Sequence, residues 1–296
     1  MDPVSARAAF GWSEDVTIRP GPRGALGQLW RVRTAAKDYA LKEIFTDPPP
    51  EAAIRAELVL ARAVTSPASH PDRDGRYLVP TADGTWLRLY DWIDLRPVDL
   101  ADPATPPRLG ALLARLHRAA PKASAELDGR PPSRWYDTVI EPEAPETVDQ
   151  MPVTPADPDE MILCHRDLHP ENVLAGPGGN LVVVDWDQLG PAAPSREVAR
   201  ALFDWFCDPQ PDLPAMRAMY EAYHCAGGPG RVTSVSDFSM LIATRLNFLR
   251  RQRALLSDPR HREWARREIA EAVRIMPTPH YLACVLAEIH SSAQRR

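Results

Sequence analysis

The chain has 296 residues, 44% hydrophobic and 25% charged, with a formal net charge of −5. That is enough apolar material for an ordinary globular core, and the negative balance with scattered arginines argues against nucleic acid as a partner. No apolar stretch approaches the ~20 residues that span a bilayer, and Met1-Asp2-Pro3-Val4 lacks the start of a signal peptide, so no membrane partner and a cytoplasmic location are expected.

Val16 and Ile18 open an alternating stretch, Gly21, Gly24 and Gly27 punctuate a turn, and Leu29 to Arg33 resumes as a strand. The run from Tyr39 to Phe45 reads as a third strand with Ala40, Lys42 and Ile44 on one face. Glu51 to Val64 has helical composition, and a hairpin around Asp83-Gly84 closes a small α+β lobe near residue 92. The remainder is mainly helical. Leu109, Leu112, Leu113 and Leu116 mark an amphipathic helix over 107–119. Residues 129–160 are Pro-rich, and from Trp135 to Cys164 there are eight acidic residues and no Lys or Arg. Apolar runs follow at Met161 to Cys164 and Leu181 to Val184, then helical patterns near 195–207, 213–226, 236–256, 260–275 and 278–292. The four cysteines form no CxxC, so neither a zinc site nor a disulfide framework is indicated.

The chemistry concentrates in His165-Arg166-Asp167-Leu168-His169-Pro170-Glu171-Asn172-Val173-Leu174 and in Val184-Asp185-Trp186-Asp187. A strand feeding a polar loop, then a turn at 176–180 and a second strand, would bring Asp167, Asn172 and Asp185 to one edge. Phosphoryl transfer needs such a set: one carboxylate to orient the acceptor hydroxyl, and a carboxylate with an amide oxygen to hold magnesium. Polar residues capping turns are the competing explanation, but that accounts for one such residue better than for all three.

This pattern, His-x-Asp-x-x-x-x-Asn with an Asp at the end of the next strand, resembles the aminoglycoside phosphotransferase family, relatives of choline kinase and more distantly of protein kinases. The resemblance includes Leu116-His117 and Gly190-Pro191 and, more loosely, most of the chain. It implies a bilobal protein-kinase-like α+β fold, with a β-rich N-lobe over 1–92 and a helical C-lobe over 93–296. It implies ATP, or GTP, with Mg2+ as cofactors, Asp167 as catalytic base, and Asn172 and Asp185 as metal ligands. Lys42 matches the strand lysine that neutralises phosphates, and only Lys37 and Lys122 accompany it as lysines. The other reading of Lys42 is a solvent-facing lysine on an edge strand. Ala40 would sit over the base, Glu57 would pair with Lys42, and Gly24 and Gly27 would cover the phosphates. Asp91, Trp92 and Ile93 would form the hinge beside the base. His169 replaces the protein-kinase lysine near the γ-phosphate, Asp187 either assists the metal or caps a turn, and Glu197 stands where the family has an Asp that braces the loop. His117 and His165 read as packed core histidines.

The acceptor is less legible. From Ala201 to Arg296 there are ten Asp or Glu and thirteen Arg, no surplus of acid for a polycation. An antibiotic, sugar, amino alcohol or biosynthetic intermediate fits as the small-molecule acceptor. Ser or Thr of a modified peptide, and a kinase-like module that binds nucleotide or peptide without catalysis, are the alternatives.

Overall fold

The computed structural model describes residues 2–13, 15–23, 27–123, 135–259 and 261–291. Its first element, α1 (Pro3–Phe10), is written by local signals that hydrophobic periodicity does not reveal. Asp2 caps it by accepting the Val4 and Ser5 amides at 3.1 and 2.9 Å, Pro3 begins it, and Gly11 ends it at φ 69°.

The alternating segments form β1 (Thr17–Arg23), β2 (Gly27–Arg33) and β3 (Asp38–Ile44), antiparallel neighbours in sequence order. After α2 (Glu51–Leu60) come the short β4 (Ser69–His70) and β5 (Val79–Pro80), then β6 (Trp86–Asp91). The sheet order is β1-β2-β3-β6-β4, with β5 also on β6. Cross-strand register sorts the side chains into two sets. Val32, Leu41, Leu87 and Leu89 are buried with Val16, Val79 and Ala6 of α1, which makes one face a core. The opposite face carries Ala40, Lys42, Arg31, Arg88 and Tyr90, as period-two alternation requires. Gly27 begins β2 because a Cβ there would strike the Glu43 carbonyl oxygen.

Next along the chain are α3 (Thr105–Ala119), which buries the expected leucine stripe, and β7 (Ile162–Cys164). Two strands follow, β8 (Val173–Ala175) and β9 (Leu181–Val183), paired around the 176–180 turn. This corrects the expected hairpin: its first strand is Val173–Ala175, within the polar motif. The earlier run Ile162–Cys164 pairs instead with β10 (Gly190–Ala192). The reason is backbone satisfaction of two short apolar segments. Ala175 exchanges amide bonds with Arg96 (3.0 and 2.8 Å), and the Val183 amide donates to the Thr65 carbonyl at 2.9 Å.

The helices α4 (Pro194–Phe206), α5 (Leu213–Cys225), α6 (Ser239–Leu255), α7 (Arg262–Arg274) and α8 (Pro279–Ser291) complete the described chain. Gly110 lets α3 approach α5 closely, since any Cβ there would meet the Met219 carbonyl oxygen. The chain divides into two compact units. One is Met1–Pro97 with Asn172–Gln188, and the other is Val98–Glu171 with Leu189–Arg296. Among the described residues, no helix is long and apolar enough to cross a membrane.

Candidate active site

In the first unit β3 presents Lys42 on the polar face of the sheet, and the β8–β9 hairpin ends in Asp185. The Lys42 ammonium donates to Asp185 Oδ1 at 2.8 Å and to Asp187 Oδ2 at 2.6 Å. Burial works to lower the Lys42 pKa, but Asp187 and Asp185 outweigh it and hold the ammonium above its ordinary value. Asp185 sits at φ 58°, a left-handed backbone that a residue with a Cβ adopts at a cost of roughly 1–3 kcal/mol. The Val184 amide donates to the Asn172 carbonyl at 2.9 Å, so Asn172 and Asp185 come together at the open end of one hairpin.

This oxygen set suits a hard divalent cation. Two carboxylates share one lysine, and Asp187 Oδ1 is buried with no hydrogen-bond partner among the described residues. Such an uncompensated carboxylate oxygen is costly unless a cation takes it.

Glu57 does not pair with Lys42 as the sequence suggested. Arg88, directly opposite Lys42 in the β3–β6 register, has a side chain with 0% exposure and takes Glu57 at 2.7 Å, while the Tyr90 hydroxyl donates to the other oxygen at 3.3 Å. A guanidinium buried this deeply demands a counter-charge, and Glu57 is that partner. Burial raises the Glu57 pKa, with Arg88 opposing. Lys42 is left to the hairpin carboxylates.

The remaining residues expected beside the nucleotide divide. Ala40 lies two positions from Lys42 on the same face, and Gly27 opens β2; Gly24 lies outside the described residues. Asp91 accepts from Lys37 and lies 2.8 Å from His70 Nε2; burial raises its pKa, but these two partners bring it below the ordinary value. The Trp92 amide donates to the Asp38 carbonyl at 3.3 Å, and its indole donates to Asp94 at 2.8 Å. Ile93 is half-buried, and its backbone groups have no hydrogen-bond partner among the described residues.

In the second unit, Asp167 follows Arg166, whose φ of 64° turns the chain sharply after β7. Glu197 of α4 braces this turn. One oxygen accepts the Arg166 amide, and the other bonds His117 Nε2 at 2.7 Å. His117 is further held by the Tyr223 hydroxyl at 2.8 Å, which gives it the packed, structural place expected of it. Burial pushes the Glu197 carboxyl up, but His117, His165 and the Arg166 amide together outweigh it and leave the pKa lowered. Glutamate therefore serves where the family pattern has the shorter aspartate.

The residue that sequence reasoning missed is Arg200. Its Nη2 donates to Asp167 Oδ1 at 2.6 Å, its Nη1 donates to the Arg166 carbonyl, and its Nε donates to Asp204 at 2.9 Å. Arg245 closes the network on Asp204 at 2.6 Å. Burial acts to raise the Asp167 pKa, but His169, 3.5 Å away, and Arg200 hold the carboxyl far below the ordinary range. Burial likewise opposes protonation of His169, yet Asp167 keeps its pKa raised. The available signal was an arginine four residues before an aspartate in the stretch Val198 to Phe206, which is otherwise apolar.

These arrangements can be set beside known proteins. No curated protein matches the chain in sequence. Among solved structures, a microcompartment-associated aminopropanol kinase is 21% identical, with TM-score 0.65 and 97% and 96% of the two chains covered. Amicoumacin kinase hAmiN, in complex with AMP-PNP and Ca2+, is 16% identical, with TM-score 0.64 and coverages of 93% and 94%. An ethanolamine kinase of Plasmodium vivax is 12% identical, with TM-score 0.61 and coverages of 94% and 86%. At these identities the likeness is one of fold, the α+β protein-kinase-like fold of small-molecule kinases. The phosphotransferase enzyme family matches residues 17–233, most of the chain, and the protein belongs to that family.

Proposed function

We propose that this phosphotransferase moves the γ-phosphoryl group of a magnesium-bound purine nucleoside triphosphate to a hydroxyl of a small molecule. The observation that carries this reading is Lys42 held between Asp185 and Asp187, with one Asp187 oxygen left over. Lys42 would take the phosphates, and Asn172, Asp185 and Asp187 would hold the magnesium. The metal supplies neutralisation of the charge on the transferring phosphoryl group. Asp167, kept ionised by Arg200 and His169, orients the acceptor hydroxyl and receives its proton as the new P–O bond forms. Its depressed pKa makes it a weak base, which suits a reaction whose proton leaves late.

Two observations bear on the acceptor. The acidic segment before β7 is partly neutralised, with Glu141 and Glu143 paired to Arg253 at 3.3 and 2.6 Å. The helical tail has more arginine than acid. Both favour an acceptor with few positive charges, such as an amino alcohol, a sugar or a weakly basic antibiotic, over a polycation. By their names, similar structures act on aminopropanol, amicoumacin and ethanolamine, which agrees with that range.

The test is magnesium-dependent nucleoside diphosphate formation over a panel of amino alcohols, sugars, antibiotics and Ser/Thr peptides. Asp167→Asn serves as the blank. Acceptor-dependent turnover that drops ~10²-fold or more in the variant, with nucleotide affinity kept, is expected. Equal turnover by the variant and the parent would remove Asp167 from its role. Peptide-only turnover would move the acceptor to a protein side chain. Nucleotide binding with no turnover on any acceptor would favour the binding-module alternative.

A further inference from the structure

The sheet face that carries Lys42 is roofed by arginines where a nucleobase would lie. Ala40 is two residues from Lys42, a step of about 6–7 Å along the strand toward the 91–93 segment. Directly opposite Ala40 on β2 is Arg31, and directly opposite Arg31 on β1 is Arg19. Cross-strand partners share a face, so both guanidiniums belong to the Lys42 side of the sheet. There a cleft of about 260 Å³ is lined by Arg19, Pro20, Gly21, Arg31, Arg33 and Trp92.

The charges in this cleft do not balance at contact distance. The Arg31 guanidinium carbon lies over the Trp92 ring, 4.4 Å from its centroid, and Nε and Nη2 reach Asp38 at 2.8 and 2.6 Å. Arg33 reaches the same Asp38 oxygen at 3.4 Å, and Asp94 is 3.9 Å from Arg31 Nη1. Arg19 is exposed, and its side chain has no hydrogen bond or ion pair among the described residues. Arg31 and Arg33 thus share Asp38, with Asp94 at the edge of reach, and Arg19 brings a third guanidinium with no close carboxylate among the described residues. An arginine has five N–H donors and no acceptor, so this wall offers a ligand mostly donors beside an aromatic plane.

That chemistry discriminates between purines. Guanine presents two acceptors, O6 and N7, on one edge, the pair that arginine binds bidentately. Adenine presents N7 beside an amino group, a donor facing donors. We propose that the arginine-lined cleft is the nucleobase subsite and that it selects a 6-oxopurine, so that GTP is preferred to ATP. The inference rests on the nucleotide site proposed above.

The experiment is a calorimetric titration of the full chain with the magnesium complexes of ATP, GTP and ITP, the last having O6 and N7 without the 2-amino group. GTP and ITP should bind about tenfold or more tighter than ATP, the scale of one bidentate arginine contact. Arg31→Leu should bring the three affinities together. Arg19→Leu, at an exposed position with no partner to lose, should narrow the ratio without disturbing the fold. ATP binding as tightly as GTP would overturn the inference and leave the kinase reading standing. So would a GTP-to-ATP ratio unmoved by both substitutions, and so would ITP binding as weakly as ATP, which would place recognition on the 2-amino group. Failure of every nucleotide to bind with magnesium would overturn the nucleotide site itself.

Discussion

The two charge networks differ in how they balance. In the first unit one lysine is shared by two carboxylates, and one carboxylate oxygen is buried with no hydrogen-bond partner among the described residues. In the second, two carboxylates, Asp167 and Asp204, meet two arginines, Arg200 and Arg245, beside His169. A network with surplus negative charge has room for a cation from outside. A balanced one holds its members in place and tunes them. On the function proposed above, the difference would separate the carboxylates that hold the metal from the network that positions Asp167.

The largest expected effect tests the frame behind the second network. Glu197→Ala leaves His117 and the Arg166 amide without their buried partner and should cost about 3–5 kcal/mol, read by urea unfolding. The native pKa of Glu197 is lowered, so its stabilisation is complete above the ordinary glutamate pKa and is lost as pH falls through the native value. Unfolding of the parent protein between pH 7 and 3 should show that loss, and the alanine variant should lack this component.

Next is the metal side. Asp185→Asn and Asp187→Asn should each weaken magnesium-dependent nucleotide binding by roughly 10–100-fold, the scale of perturbing a metal's supporting shell. Both should leave binding of magnesium-free nucleotide nearly unchanged. Equal losses with and without magnesium would mean that these carboxylates serve only Lys42, and the contrast between the networks would collapse.

The smallest effect sharpens the contrast from the other side. Arg200→Met removes one of the two groups that lower the Asp167 pKa, while burial continues to raise it. The acid limb of kcat against pH should move upward by about one pH unit, with magnesium dependence unaltered. His169 titrates in the opposite sense. Its native pKa is raised, so its contribution is complete below the ordinary histidine pKa and fades as pH rises through the native value. In His169→Gln this fading above the ordinary histidine pKa should be absent from the stability profile.

Much of this was legible because the signals are local. The spacing of Asp167, Asn172 and Asp185, and the alternation that puts Ala40 and Lys42 on one face, are properties of adjacent residues. So are the leucine stripe of α3 and the near coincidence of the C-terminal helices with their apolar periodicity. The N-terminal helix was equally local, but its signal lay in Asp2, Pro3 and Gly11 rather than in periodicity.

Strand and charge partnerships were not local. Whether Ile162–Cys164 pairs with Leu181–Val183 or with Gly190–Ala192 depends on which backbone reaches which, and short apolar runs are alike in composition. Glu57 was the partner expected for Lys42, but Arg88, buried opposite the lysine, claimed it, and Lys42 pairs with Asp185 and Asp187 instead. By itself the sequence determined the family's catalytic spacing, the elements and their amphipathic faces, since these follow from backbone periodicity and neighbouring side chains. Tertiary structure alone decided that Arg200 holds Asp167, that Glu197 braces the loop, and that Arg19, Arg31 and Arg33 gather beside Trp92. Charges choose their partners by distance and burial, which the order of residues does not encode until the chain has folded.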